Sequence, residues 1–178
     1  MNHPPGTILH FNRFQFQERA TATRPAEKNK FFIVLRNMAG RMVLACLPTS
    51  KDQIPMAVEQ KHGCLEYPSG NFTAYVFEAL APITVSGWFF SLRTYVYGYQ
   101  VRDYSYATLE HDQAQAGYEV TVKGRLKEQE FTAMVGCLLR SIDLKRRMRE
   151  HMRSAAYAEA SDHDRMSEPV PRYGAADQ

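Results

Sequence analysis

A chain of 178 residues with 44% apolar and 12% aromatic content has the hydrophobic mass for one ordinary core, which excludes a chain disordered throughout. No window approaches the roughly 18 to 20 uninterrupted apolar residues of a membrane helix, and residues 1–5 lack the basic start and apolar run of a secretory signal, so a cytoplasmic protein without membrane attachment is expected. The net charge of +3 hides an uneven distribution: residues 13–51 carry eight basic residues against two acidic ones, residues 52–158 carry twelve of each, and residues 159–178 carry two against five. A positive field concentrated in the N-terminal third suits an anionic partner such as RNA, DNA or an acidic protein, and a solvated loop is the plainer alternative.

In chain order, residues 6–11 (Gly-Thr-Ile-Leu-His-Phe) read as a first strand, and the polar stretch 12–29 reads as a long exposed loop. Two apolar runs, 31–35 and 42–47, flank Asn37-Met38-Ala39-Gly40 and predict a β-hairpin. Its second strand ends at Pro48, which puts Thr49, Ser50 and Lys51 at a strand terminus, where hydroxyls and an ammonium suit contact with phosphate. A hydrogen-bonded turn after Pro48 is an equally good use of Thr49 and Ser50. A second hairpin is expected from 64–67 and 72–80 around Pro68-Ser69-Gly70-Asn71, a strand from the aromatic stretch 88–95, and a half-buried strand from 118–122.

The period then changes: Leu126, Phe131, Met134, Val135, Leu138, Leu139 and Ile142 recur at helical spacing behind Glu128 and Glu130, acids that favour a helix N-terminus. A break at 141–143 caps a second helix, with Leu144, Met148 and Met152 as a narrow apolar line and Lys145, Arg146, Arg147, Arg149 and Arg153 around it, expected to be basic and exposed. Residues 159–178 have no apolar periodicity and are expected to be a disordered acidic tail. The fold class is therefore mainly β with C-terminal helices (α+β), as one domain over 1–158 followed by the tail.

Three cysteines, Cys46, Cys64 and Cys137, show no Cys-x-x-Cys spacing and no neighbouring histidine at ligand distance, so all three are expected as reduced thiols, with no metal and no cofactor. His10, His62 and His111 belong to no motif. Trp88, Phe89, Phe90, Tyr95, Tyr97, Tyr99, Tyr104 and Tyr106, interleaved with Arg93 and Arg102, suit either a platform for unpaired bases or, more simply, a core or dimer interface.

The order of Gly6-Thr7-Ile8-Leu9, Lys30-Phe31-Phe32-Ile33-Val34-Leu35, the 42–50 strand, and Lys123-Gly124-Arg125-Leu126 leading into a helix that ends Cys137-Leu138-Leu139-Arg140-Ser141 resembles the MazF/PemK-type toxins, over about residues 6–152. That resemblance implies a small SH3-like (PemK-like) barrel with accessory helices. It also implies a homodimer, an antitoxin protein as partner, and metal-independent cleavage of single-stranded RNA.

Carried over position by position, the family's hydroxyl pair falls on Thr49 and Ser50. Its Arg-Pro at the start of the preceding strand is replaced by Lys30-Phe31, while Arg24-Pro25 stands upstream in the loop, and Gly6-Thr7 replaces the usual Gly-Asp. Cleavage through a 2′-hydroxyl needs a proton acceptor, a proton donor for the leaving oxygen and a cation at the phosphorane. Lys30 or Arg24 would stabilise that charge and Thr49 or Ser50 would hydrogen-bond a non-bridging oxygen. Lys28, Arg36, Lys51 and Arg19 would hold the RNA backbone. Strand alternation puts Lys30 and Arg36 on one face with Phe32 and Val34. The alternative function is a catalytically inactive barrel of this kind that binds nucleic acid or a protein partner.

Overall fold

The structure, a computed structural model, describes residues 3–14, 28–47, 59–67, 72–117 and 119–153. Arg19, Arg24, Thr49, Ser50, Lys51, the 68–71 turn and the acidic tail lie outside the described residues. In chain order the elements are β1 (Thr7–Phe14), β2 (Lys28–Met38), β3 (Arg41–Leu47), β4 (Gly63–Tyr67), β5 (Phe72–Phe77), β6 (Thr94–Tyr97), a 3-10 turn (Gly98–Gln100), β7 (Val101–Ser105), α1 (Tyr106–Ala116), β8 (Val120–Arg125), α2 (Glu128–Arg140) and a last helix, α3, over 146–153. The α+β class with predominant strand content is as the sequence indicates.

Two antiparallel sheets form, one of five strands in the order β7-β3-β2-β1-β8 and one of three in the order β4-β5-β6. Both are open rather than joined into a closed barrel. The cause is visible at the edges: the carboxyl end of β8 takes its cross-links from the 78–93 connection, through Val85 N–H to the Arg125 carbonyl (2.9 Å) and the Thr84–Leu126 bridge, instead of from a strand of the second sheet. On the other side, β6 leaves the small sheet through the 3-10 turn and enters the large one as β7.

The continuous apolar runs of β2 and β3 are explained by burial of both faces of the large sheet. Ile8, Ile33, Val43 and Ala45 point into a core shared with Tyr75, Phe77 and Val96 of the small sheet, Met134 and Leu138 of α2, and Leu144, Met148 and Met152 of the last helical segment. Leu9, Phe11, Phe32, Val34, Met42 and Leu44 fill the opposite side with Leu109 of α1. The β2–β3 turn closes at Gly40, whose φ of +69° is one a side-chain-bearing residue rarely adopts.

Besides the closed barrel, two expectations change. The aromatic stretch 88–95 is not a strand: only Thr94 onward pairs, and before it Trp88 N–H donates to Thr84 Oγ1 (2.7 Å) in a local turn. The last helix keeps the expected layout, with its apolar line buried and Lys145, Arg146, Arg147 and Arg153 exposed, although three of its cations have partners. Arg147 reaches Asp103 (3.0 Å), Arg146 reaches Glu150 (2.9 Å) and Arg149 donates to the Ser141 carbonyl (2.7 Å). Cysteine pairing also differs: Cys64 and Cys137 are joined in a disulfide with Cα atoms 5.4 Å apart, while Cys46 is a buried free thiol. Folding brings β4 against α2 across 73 positions, a proximity that cysteine spacing does not encode. No helix among the described residues is long and apolar enough to cross a membrane.

Candidate nucleic-acid interface

Lys30 sits near the start of β2, opposite Phe11 of β1. Alternation places it on the side of Phe32 and Val34, and its charge reaches the thiol of Cys46 on the neighbouring strand. From the other side Arg102 of β7 does the same. The register accounts for both contacts: Cys46 lies opposite Phe32 and Leu44 lies opposite Arg102, so each cation is a diagonal neighbour of Cys46. Burial pushes the Cys46 thiol up to about 11 against the opposing pull of these two cations, so at neutral pH it is a packed thiol and not a nucleophile. Tyr104, beside it on β7, is pushed up to about 12, again chiefly by burial.

Lys30, Cys46 and Arg102 thus lie along a diagonal across β2, β3 and β7, from one residue beyond the Phe31–Leu47 pair back to the level of Leu44. Leu47, the last residue of β3, lies opposite Phe31, and Thr49, Ser50 and Lys51 follow it directly in sequence. Arg102 was missed as a second cation on this face because 72 positions separate it from Lys30 and only the β3–β7 pairing places it there.

Arg36 does not share this face. A register shift between Val34 and Arg36 breaks the alternation, so that Arg36 pairs opposite Val43 and Asn37 opposite Met42. Consequently the Arg36 guanidinium donates to the His151 carbonyl near the end of α3, whereas Asn37 Oδ1 accepts from Tyr106 Oη (2.8 Å) on the α1 side. Bulges re-aim side chains in this way. Lys28 begins β2 opposite Phe14, two residues before Lys30 on the same strand.

Most of the aromatic cluster is packing. Trp88 packs against Phe31 at a tilt and Phe90 packs against it edge-on, and Phe90 also meets Phe77. Tyr95 and Tyr97 are buried, and Tyr97 stacks on Tyr99.

His10 is opposite both Phe31 and Thr121, with its ring 4.6 Å from that of Phe31. Partial burial, with Lys123 adding to it, holds the imidazole below its ordinary value, hence neutral at pH 7. It faces away from Lys30, so the two do not address one phosphate. His62 is committed elsewhere, with Nε2 3.1 Å from Glu130 and Nδ1 accepting the Glu78 N–H (3.3 Å). No group of three or more His, Cys, Asp or Glu side chains able to hold a metal occurs among the described residues. No family model, no curated protein and no solved structure matches this chain.

Proposed function

We propose that the chain is a distant member of the MazF/PemK-type toxins that binds single-stranded RNA at the β2–β3–β7 end of the large sheet and cleaves it without a metal. The observation that carries this reading is the placement of Lys30 and Arg102 on one face of the large sheet, flanking Cys46 near the strand end from which Thr49 and Ser50 continue. Two cations on a half-exposed rim attract phosphate, and side-chain hydroxyl contacts to the phosphates add orientation. In this reading Lys30, with Arg24, stabilises the phosphorane, Thr49 and Ser50 hydrogen-bond its non-bridging oxygens, and Arg102 joins Lys28, Lys51 and Arg19 along the RNA. Arg36 contributes indirectly, through α3. A toxin of this kind works as a homodimer and is neutralised by an antitoxin protein in the cytoplasm.

The test uses purified full-length chain and single-stranded RNA in excess chelator. Cleavage that yields a cyclic phosphate end, and that falls at least about a hundredfold in Lys30→Ala and in Thr49→Ala while both variants keep the wild-type Tm, supports the proposal. Binding without cleavage, weakening by an order of magnitude or more as salt rises severalfold and lost in Lys30→Ala with Arg102→Ala, establishes the inactive nucleic-acid-binding alternative instead. Retained cleavage in both single variants overturns the site.

A further inference from the structure

One face of β4 is laced to α2 at three successive positions. His62, just before the strand, meets Glu130 (3.1 Å), Cys64 is bonded to Cys137, and Glu66 pairs with Arg140. Residues 62, 64 and 66 share a side because strand side chains alternate. On the helix, 130, 137 and 140 fall on or beside one stripe. Only the middle link is covalent.

The two sulfurs of that link live in different environments. Cys64 is exposed on a strand whose outer edge has no strand beyond it among the described residues, whereas Cys137 is fully buried. Arg140 Nη2 stands 3.2 Å from Cys64 Sγ. The Glu66 carboxylate is also near, 3.8 Å from the same sulfur, but its charge is taken up by Arg140. Cys137 Sγ lies 3.4 Å from the Ala74 carbonyl oxygen, an acceptor ready for an S–H. A guanidinium beside the sulfur of an exposed cysteine favours its departure as thiolate, and a waiting carbonyl accommodates the buried partner as a thiol.

We propose that Cys64 and Cys137 form a thiol–disulfide exchange site for small monothiols of the glutathione class, with Cys64 as the exchanging sulfur and Cys137 as its resolving partner. The redox state then decides whether β4 is fastened to α2. In the first step an incoming thiolate attacks Cys64 Sγ; the S–S bond breaks, and Cys137 leaves as a thiolate and takes up the proton that the incoming thiol gave up, its S–H then hydrogen-bonding to the Ala74 carbonyl oxygen. In the second step another thiolate attacks the outer sulfur of the mixed disulfide, releasing Cys64 as a thiolate beside Arg140 and the small molecule as its own disulfide. Two electrons pass from two monothiols to the protein. Running backward, Cys137 resolves a mixed disulfide on Cys64 and restores the link. In the reduced form the polar ties between β4 and α2 among the described residues are the exposed pair Glu66–Arg140 and the partly exposed pair His62–Glu130, contacts of a kind that adds little by itself.

The full chain is equilibrated without oxygen against mixtures of reduced and oxidised glutathione, quenched in acid, alkylated after unfolding and mapped by mass spectrometry. Cys64 and Cys137 should open together over glutathione ratios that reach the strongly reduced range. Arg140→Met should slow opening severalfold, and amides of β4 should exchange at least about tenfold faster in the reduced protein. Cys137→Ser should accumulate the glutathione adduct on Cys64. If that variant fails to fold, the Arg140→Met kinetics and the exchange data decide alone. A pair that stays closed in excess glutathione and yields only to a strong dithiol is a purely structural disulfide and overturns the proposal, as does unchanged β4 exchange on reduction.

Discussion

Gly98, where the chain turns from the small sheet into the large one, has no room for even a methyl group. A Cβ there would lie 2.5 Å from Ser141 Oγ, 2.8 Å from Ser141 Cβ and 3.0 Å from the Leu144 backbone nitrogen. Gly98→Ala should therefore cost about 1–3 kcal/mol and lower Tm by several degrees. Adding Ser141→Gly should recover part of that loss but not all, since the Leu144 contact is backbone. A Tm within a degree of wild type for the single variant would show that the α2–α3 junction moves aside freely. His10 sets a second expectation. Burial, then Lys123, lowers its folded pKa beneath the ordinary 6.5, and His3 is lowered likewise by burial and the N-terminus. The unfolded chain thus binds more protons, so the stability present above pH 6.5 is lost as pH falls through that value toward the folded pKa. His10→Gln should flatten the denaturant midpoint between about pH 7 and pH 5, and an unaltered slope would place the effect on His3. At this scale the sequence exposed Lys30 as a cation at a strand start. It hid the side on which Arg36 emerges, because a bulge is a tertiary compromise that composition does not announce.

Among the elements, β2 and β3 were legible because burial on both faces leaves an uninterrupted apolar run bounded by charge, and α2 because its helical spacing is sustained over three turns. The helix α1 was not legible. Among its described side chains only Leu109 is fully buried, so no apolar stripe marks it, and its boundaries come from Ser105, whose Oγ accepts the Thr108 N–H, and from Gly117 at φ +64°. The 88–95 stretch misled in the opposite direction, since aromatic residues that pack a core at a turn have the same composition as a strand. Docking of α3 gives the element-scale prediction. Arg36→Ala removes the link from β2 to the His151 carbonyl, so amides of 146–153 should exchange several times faster while those of β3 keep their protection. If RNA binding falls with α3 protection intact, Arg36 contacts phosphate directly.

Seen whole, the molecule is a central sheet with packing on both sides, and its candidate site lies near one end of that sheet, on the face that carries Lys30 and Arg102. Sequence patterning conveyed the strand-rich body and the helical C-terminus. It could not convey that the sheets remain open, that β4 is tied covalently to α2, or that β7 sets Arg102 on the same face as Lys30, because each depends on pairing between distant segments. The 78–93 connection presents Leu80, Val85, Phe89 and Leu92 to solvent, a concentration that suits the proposed pairing with a second copy. Light scattering should then report about twice the 20.4 kDa chain mass, and Leu80→Asp with Leu92→Asp should halve it. A single-chain mass for wild type would remove the dimer from the proposal.

The midrib strand β3, whose residues from Met42 to Leu47 are all buried, has a consequence for how such a protein diversifies. Every side chain along it answers to one packed interior or the other, so drift there is penalised whichever way it points. Tolerance is left to the tips, where strands stop and loops begin. A lineage of such chains can change what it grips by rewriting a few terminal positions while its spine stays almost fixed.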